Sequence, residues 1–453
     1  MDDIGALARQ AVEAALDAGA GDAEAYVEDS AGREIRVFEG EVESLTDAGQ
    51  RGCGIRVWIG GRVGYAYGTD LGAEGLRAVA ARAAEAARAA DADEHAGPPE
   101  AGRAAPELAG LADPGLGAWS TERKVELAKA IEAAARAADA RIAGVETTVY
   151  ADEATRVAIA ASTGLAGTYE ATSCYAYLQA IAAAGDDRQT GLGFGLGRSP
   201  EALDAEAIGR EAAERATSLL GAAKPASRAC PVVLDATVAA SFAGFVGGLL
   251  CADAIQRGRS AFAGRLGDEV AAASLTLADD GLEPAGLATA PFDDEGVPRT
   301  RTPLIEGGRL ASYLHDSYTA RREGGGARTT GSASRAGYRS PPAVGTSNLV
   351  VEAGEASFGE LLRRAGEGMY VMDVAGLHSG VNPVSGTFSV GATGRAIRGG
   401  ELAEPADEFT IASDLETMLK AVAAAGSAAR WVPFAGSVKA PPLLLGEMTI
   451  AGA

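Results

Sequence analysis

Cysteine is scarce. Four occur among 453 residues, at Cys53, Cys174, Cys230 and Cys251, each isolated from the others. Such scatter makes neither a disulfide framework nor a C-x-x-C metal knuckle, and it points to a reduced, cytoplasmic setting. Histidine is rarer, with three residues, and no H-E-x-x-H or other paired spacing that could gather zinc ligands occurs. A serine-hydrolase G-x-S-x-G elbow is missing. Positive charge is in deficit too: 40 Lys and Arg against 62 Asp and Glu leave a formal charge of −22. A phosphate surface would be repelled, which argues against nucleic acid and an anionic membrane as partners, and no basic cluster interleaved with aromatics offsets that. Acidity on this scale reads as a solubility device. No apolar run approaches the length of a membrane span. The opening MDDIGALARQAVEAALDAG is acidic where a secretory leader would be basic.

What is present is a globular composition, long enough for two or three domains. Residues 3–19 read as an amphipathic helix capped by Asp3, with Ile4, Leu7, Ala8, Ala11 and Ala15 on one face and Gly19 at its end. EIRV from Glu34 alternates, and GIRVWIGGRVGYAY from Gly54 alternates on both sides of Gly60-Gly61, a hairpin signature. An Ala/Arg-rich helix covers 73–90. Pro98, Pro99, Pro106 and Pro114 then mark a long exposed connection. From Ser120 the pattern recurs: a helix with Leu127, Ile131, Ala134 and Ala138 on one face, strand-like runs at 144–150, 156–160 and 168–178, and a helix over about 201–219. Helix, antiparallel strands, helix, twice over, suggests an internal duplication in an α+β fold. A boundary near 221–235 leads to a helix over 238–253 and then a strand- and turn-rich remainder, with segments at 305–315, 344–352, 369–375, 386–394 and 441–450. The expected division is an N-terminal α+β domain over 1–95, a linker over 96–119, a central α+β domain over 120–225, and a mostly β C-terminal domain over 226–453.

Residue by residue, the chemistry is thin. His95 sits in the proline-rich linker and reads as a solvated loop residue; His315, beside Asp316, reads as an ordinary polar residue. His378, among Gly, Ser and Asn, lies in a loop with exposed backbone and is the most interesting of the three. REGGGART (322–329) lacks the G-K-[ST] ending of a phosphate cradle and reads as a flexible loop. Asp293, Asp294 and Glu295 are a candidate carboxylate cluster, although adjacent acids before a glycine more often make a solvated turn that orders an arginine. Cys174 and Cys251 lie in apolar surroundings, as core filler does. FAGFVGGLLCAD (242–253) opens as a helix with glycines at 244, 247 and 248, each costing about 1 kcal/mol against alanine.

Four stretches together resemble the TldD/PmbA family, also called the modulator of DNA gyrase family: GEVESLTDAGQRGCGIRVWIGGRVGYAYGTDL (40–71), RVAIAASTGLAGTYEATSCYAY (156–177), FDDEGVPRTRTPLIEGGRLASYL (292–314) and HSGVNPVSGTFSVGATG (378–394). The ending LLGEMTIAG (444–452) fits as well. The resemblance implies a two-subunit cytoplasmic peptidase. In such a pair the TldD-like subunit holds zinc on an H-E-x-x-x-H helix with a late cysteine as third ligand, and the TldE (PmbA) subunit lacks those ligands. Histidines five apart face one metal best where the helix widens into a π-type turn. Anchored on RGRSAFAG (257–264), the three motif positions fall on Ala243, Gly244 and Gly248, and the late stretch corresponds to RWVPFAGSVKAPP (430–442), which has no cysteine. Thr387 stands where the family commonly shows aspartate.

The resemblance therefore implies a TldE-type subunit with no catalytic residue, no metal ligand and no cofactor of its own. Zinc is expected in a TldD-like partner, with unfolded peptide as substrate. Substrate contacts are expected from the 379–394 loop and the 293–296 turn: Asp293, Asp294, Glu295, His378, Ser379, Asn382, Ser385 and Phe388. The alternatives are a stand-alone peptidase with a non-standard metal site near His378, and a regulatory binding protein linked to DNA gyrase.

Overall fold

The computed structural model describes residues 3–100, 104–434 and 436–453. The helix–strands–helix order runs twice, as the internal repetition predicts. Helix α1 (Ile4–Asp17) starts because Asp3 accepts a hydrogen bond from the Ala6 amide at 3.0 Å, and it buries Ile4, Ala8, Ala11, Val12 and Ala15. Strands β1 (Asp22–Phe38), β2 (Glu41–Ile59) and β3 (Arg62–Gly68) follow, then α2 (Ala73–Ala89). The second unit is α3 (Thr121–Ala138), β4 (Ile142–Ala161), β5 (Ala166–Ala184), β6 (Asp187–Gly197) and α4 (Ala205–Ser218). All six strands form one antiparallel sheet in the order β3-β2-β1-β4-β5-β6, with β1 against β4 at the seam between the units.

The strands outrun their sequence signals. EIRV is only the end of β1, and the runs at 144–150 and 156–160 are one continuous strand. Strand β6 gave no signal because glycines interrupt its alternation. Those glycines permit contact: a Cβ at Gly193 would lie 2.1 Å from the Ile208 carbonyl oxygen, and one at Gly64 of β3 would lie 2.0 Å from that of Ala83. Each unit thus seats its closing helix directly on strand backbone.

The connection after α2, expected to be exposed, is tied down instead. Arg321 donates to the carbonyl oxygens of His95, Gly97 and Pro98 at 2.7, 2.6 and 3.1 Å. One guanidinium satisfies acceptors that a proline-rich segment cannot pair in a sheet.

Strand β7 (Arg228–Leu234) opens the C-terminal domain at the centre of a six-stranded sheet, between Gly368–Ala375 and Leu443–Ala451. Beyond Gly368–Ala375 come Thr387–Arg398 and Glu401–Asp414, and Leu443–Ala451 pairs back onto the last of these through Thr410–Ala412. The sheet therefore curls closed. A second six-stranded sheet runs Arg309–Leu310, Arg301–Glu306, Leu277–Asp280, Asn348–Val351, Ser437–Ala440 and Arg430–Val432. Helix α5 (Ala236–Leu249) packs against strands of both sheets and puts Val238, Phe242, Val246 and Leu249 into the main apolar core. It ends before the expected residue 253, because the chain turns at Leu250 and Cys251 leads into a separate short turn, Ala252–Gln256. Among the described residues no helix is long and apolar enough to cross a membrane.

Candidate functional site

Helix α5 begins where Asp235 turns the chain out of β7. The Asp235 carboxylate accepts from the Thr237 amide at 2.9 Å and from Arg215 at 3.0 Å, so a cap and a buried ion pair fix the first turn. Burial, the largest single influence, favours the neutral acid, yet the Arg215 guanidinium together with hydrogen bonds from Thr237 and Tyr370 holds the carboxyl below its ordinary value.

Further along, the helix carries no chemistry. Ala243 is buried, and it lines an apolar void of about 30 Å³ together with Phe242, Leu275 and Met418. Gly244 is half-buried. Gly248 is exposed, with nothing within 4 Å of where a Cβ would stand. The element is a regular α-helix, so at about 100° per residue positions 243 and 248 point roughly 140° apart. The widened turn that would aim both at one metal is not formed.

The other stretches singled out by resemblance converge here. Ser437–Ala440, inside the 430–442 stretch, packs on α5, and the Phe388 ring lies 5.2 Å from that of Phe242. Two segments distant in sequence thus meet on one helix. Their donor set does not suit zinc: a methyl group and two glycines on the helix, and no cysteine in the late stretch. Among the described residues no cluster of three His, Cys, Asp or Glu side chains is placed to hold a metal ion.

The expected contact residues divide. His378 and Ser379 are exposed on a short helix, Leu377–Gly380. Asn382 is exposed and its side-chain oxygen accepts from the amides of Val384 and Ser385 at 2.9 and 3.1 Å, while Ser385 Oγ lies 2.8 Å from Thr387 Oγ1. This turn satisfies itself and presents Val384 at its tip, 58% exposed. Phe388 is different: it is 4% exposed and packs inward, so it shapes the loop from beneath.

The acidic trio is not a solvated turn. Asp293 and Glu295 are 0% and 1% exposed, and Asp294 is half-buried. Asp293 accepts from the amides of Glu295 and Val297, both at 2.9 Å, and of Ala333 at 3.0 Å. Glu295 accepts from Arg56 at 2.8 Å and from the Ser317 amide at 2.9 Å. Arg56 also pairs with Glu24, which in turn accepts from Arg335 at 2.7 Å. The arginine-ordering role holds, but in the dry seam between the N-terminal sheet and the C-terminal domain. Burial and the Glu295 charge push the Asp293 carboxyl up; at Glu295 burial is again the largest single influence, but Arg56 and Ser317 together prevail and the carboxyl is held low. With every carboxylate oxygen of Asp293 and Glu295 occupied from inside the chain, these two offer a peptide no surface. Glu24, Arg56 and Arg335 gave no sequence signal, since the bonded partners stand 239 and 311 positions apart.

His315 is buried before the helix Ser317–Glu323, and burial draws its pKa down. All four cysteines are buried and free, and burial pushes the thiols of Cys53, Cys174 and Cys251 up to about 12. They are core filler, not nucleophiles.

A duplicated α+β sheet joined to a curled β domain around one central helix defines the class of protein. The sequence comparisons then give the family. Models of the PmbA/TldA metallopeptidase match in order: domain 1 over residues 23–87, the central domain over 114–220 and the C-terminal domain over 227–452. The chain belongs to the PmbA/TldD metallopeptidase family. It is 28% identical to metalloprotease PmbA of Escherichia coli O157:H7 across 98% of this chain and 96% of that protein. It is 27% identical to the TldD homolog metalloprotease of Haemophilus influenzae across 89% and 87%. The fold matches TldE from Thermococcus kodakarensis with a TM-score of 0.90 at 23% identity, covering 98% of this chain and 100% of that one.

Proposed function

We propose that this chain is the non-catalytic subunit of a TldD/TldE-type zinc peptidase acting on unfolded peptides in the cytoplasm. A TldD-like partner holds the zinc, and this chain completes the chamber and part of the substrate surface. The observation that carries the reading is α5. By the resemblance it corresponds to the zinc-bearing helix of the catalytic subunit, with Ala243, Gly244 and Gly248 at the positions of the ligands and the general base; in its support, it packs against parts of the 378–394 and 430–442 segments. Alanine and glycine can neither coordinate a metal nor move a proton through a side chain.

The exposed rim of His378, Ser379, Asn382 and Ser385 is the surface offered to substrate, since loops on a rigid scaffold carry such contacts. The test is purification of the chain alone and with a family subunit bearing the zinc helix. The isolated chain is expected to leave an unfolded peptide intact, and the pair to cleave it in a chelator-sensitive manner. His378→Ala in the pair should raise KM and spare kcat. Cleavage by the isolated chain with stoichiometric metal that His378→Ala removes would replace this reading with the stand-alone peptidase.

A further inference from the structure

The two units of the N-terminal sheet differ in one respect. Strand β3 pairs with β2 only from Cys53 onward, and β6 pairs with β5 only from Cys174 onward. Each unit therefore leaves a stretch of strand that its closing strand does not reach: residues 44–50 in β2 and 166–173 in β5. At the second stretch the chain supplies an outer partner itself: the Thr172 amide donates to the Leu111 carbonyl at 2.9 Å. Along residues 44–50 no described strand pairs with the outer side of β2, whose sheet neighbours are β1 and β3, and these residues are exposed throughout; the Tyr338 ring lies beyond them, against Gly52.

The turn tells which backbone groups are free. Gly60 and Gly61, with φ of 58° and 75°, make a type I′ turn, whose flanking pair Ile59–Arg62 exchanges both hydrogen bonds. Alternation then directs the N–H and C=O of odd-numbered residues toward β3 as far as Cys53. Beyond it the same parity points Leu45, Asp47 and Gly49 into open space, while Thr46 and Ala48 serve β1. Soluble proteins blunt an edge of this kind with proline, lysine or a bulge. Residues 44–50, SLTDAGQ, contain no proline or lysine, and their pairing with β1 is regular. Val42 and Leu45 add apolar surface beside it, 40% and 42% exposed.

We propose that this edge is where the partner subunit docks: an extended segment of a second chain of the same family adds to β2 along Leu45–Gly49, as Leu111 adds to β5. The inference rests on the two-subunit reading above and specifies its interface. A permanent subunit fits better than a passing peptide, because a strand edge left bare between substrates would pair with itself. A second copy of this chain is disfavoured by its own charge of −22.

Hydrogen exchange of the chain alone and mixed with a zinc-helix-bearing family subunit tests this. In the mixture the amides of Leu45, Asp47 and Gly49 should slow at least tenfold, while Thr46 and Ala48, slow from the start, should not change. Gly49→Pro removes only an outward N–H and should weaken the complex at least tenfold with the melting temperature intact; Ala48→Pro breaks the β1 ladder and should lower it. If the wild-type chain forms no complex, the two-subunit reading falls and this one with it. If the complex forms while the odd-numbered amides stay fast, or Gly49→Pro binds like wild type, only the edge assignment falls. Concentration-dependent protection in the chain alone would give the edge to a second copy, and protection by an unfolded peptide alone would give it to substrate; either overturns the proposal.

Discussion

Helix α5 and the seam between the N-terminal sheet and the C-terminal domain are both largely buried, and they are filled by opposite means. Along α5 the buried positions are Ala, Val, Phe, Leu and Gly. At the seam Glu24, Arg56 and Glu295 are each under 10% exposed, the Arg335 side chain is fully enclosed, and the four are linked by ion pairs. A search for a site guided by charge alone would choose the seam. Its geometry argues otherwise, because the carboxylates of Asp293 and Glu295 are used up within the chain, and the cleft that reaches the seam is lined by Arg56 and by neither of them. Buried ion networks gain little net stability over an apolar core, but they penalise any arrangement that separates the partners. At the seam, that fixes how two domains meet. On the proposed reading the bare helix holds the place of the site, while the charged seam carries the architecture.

The largest expected effect breaks the seam. The Arg335 side chain is fully enclosed, stacks on Tyr26 with 4.3 Å from its guanidinium carbon to the ring centroid, and bonds Glu24 at 2.7 Å. Arg335→Ala leaves Glu24 buried with Arg56 as its one remaining cation and should cost about 3–5 kcal/mol in urea unfolding. Arg335→Met combined with Glu24→Gln removes charge from both sides and should recover a large part of that loss. A single-variant loss below about 1 kcal/mol would mean that the seam does not hold the domains in register.

The same contrast explains what could be read from sequence. The duplication was legible because helix periodicity and turn glycines are local: the Asp3 cap, the Gly60-Gly61 turn and the face of Ile131 in α3 all lie within a few residues of what they determine. The assignment of Ala243, Gly244 and Gly248 to the motif positions rests on the ordered resemblance, because alanine and glycine give no signal of their own. The seam was not. A run of acids looks the same whether water or arginine surrounds it, and the arginines lie hundreds of positions away. Phe388 was misjudged for a related reason: a loop motif shows that a residue is near a surface, not which way its ring turns.

A buried carboxyl without a bonded arginine sharpens the contrast. Asp279 is 3% exposed and accepts from the amide and hydroxyl of Ser347 at 2.7 and 2.9 Å. Burial outweighs these donors and pushes its pKa up to about 6. In the unfolded chain it ionises near 4, so the folded state alone retains this proton between those values. Stability from this group should therefore fall as pH rises from about 4 to about 6, by on the order of 2–3 kcal/mol, and stay flat above. Asp279→Asn should abolish that slope and unfold at higher urea than wild type at pH 7. Glu295, held low by Arg56 and Ser317, has the opposite sign: its contribution is present above the ordinary glutamate range and is lost as pH falls. Urea midpoints from pH 4 to 7 for wild type and Asp279→Asn separate the two; an unchanged slope in the variant would refute the assignment to Asp279.

The smallest effect concerns α5 itself. At Gly247 an added Cβ would stand 2.4 Å from Leu349 Cδ1, whereas at Gly248 it would meet nothing within 4 Å. Replacing an interior helical glycine by alanine gains about 0.5–1 kcal/mol when space allows, so Gly248→Ala should stabilise the isolated chain by that amount. Gly247→Ala should gain less or lose, because Leu349 must shift. Packing within this chain therefore accounts for glycine at 247 and leaves 248 unexplained. If a partner's backbone approaches the exposed turn, Gly248→Ala will raise the melting temperature of the lone chain and weaken the complex, a reversal that no intramolecular role produces. If the variant stabilises both alike, the space over Gly248 stays open in the assembly, and the bareness of the helix reflects lost ligands rather than a fitted surface.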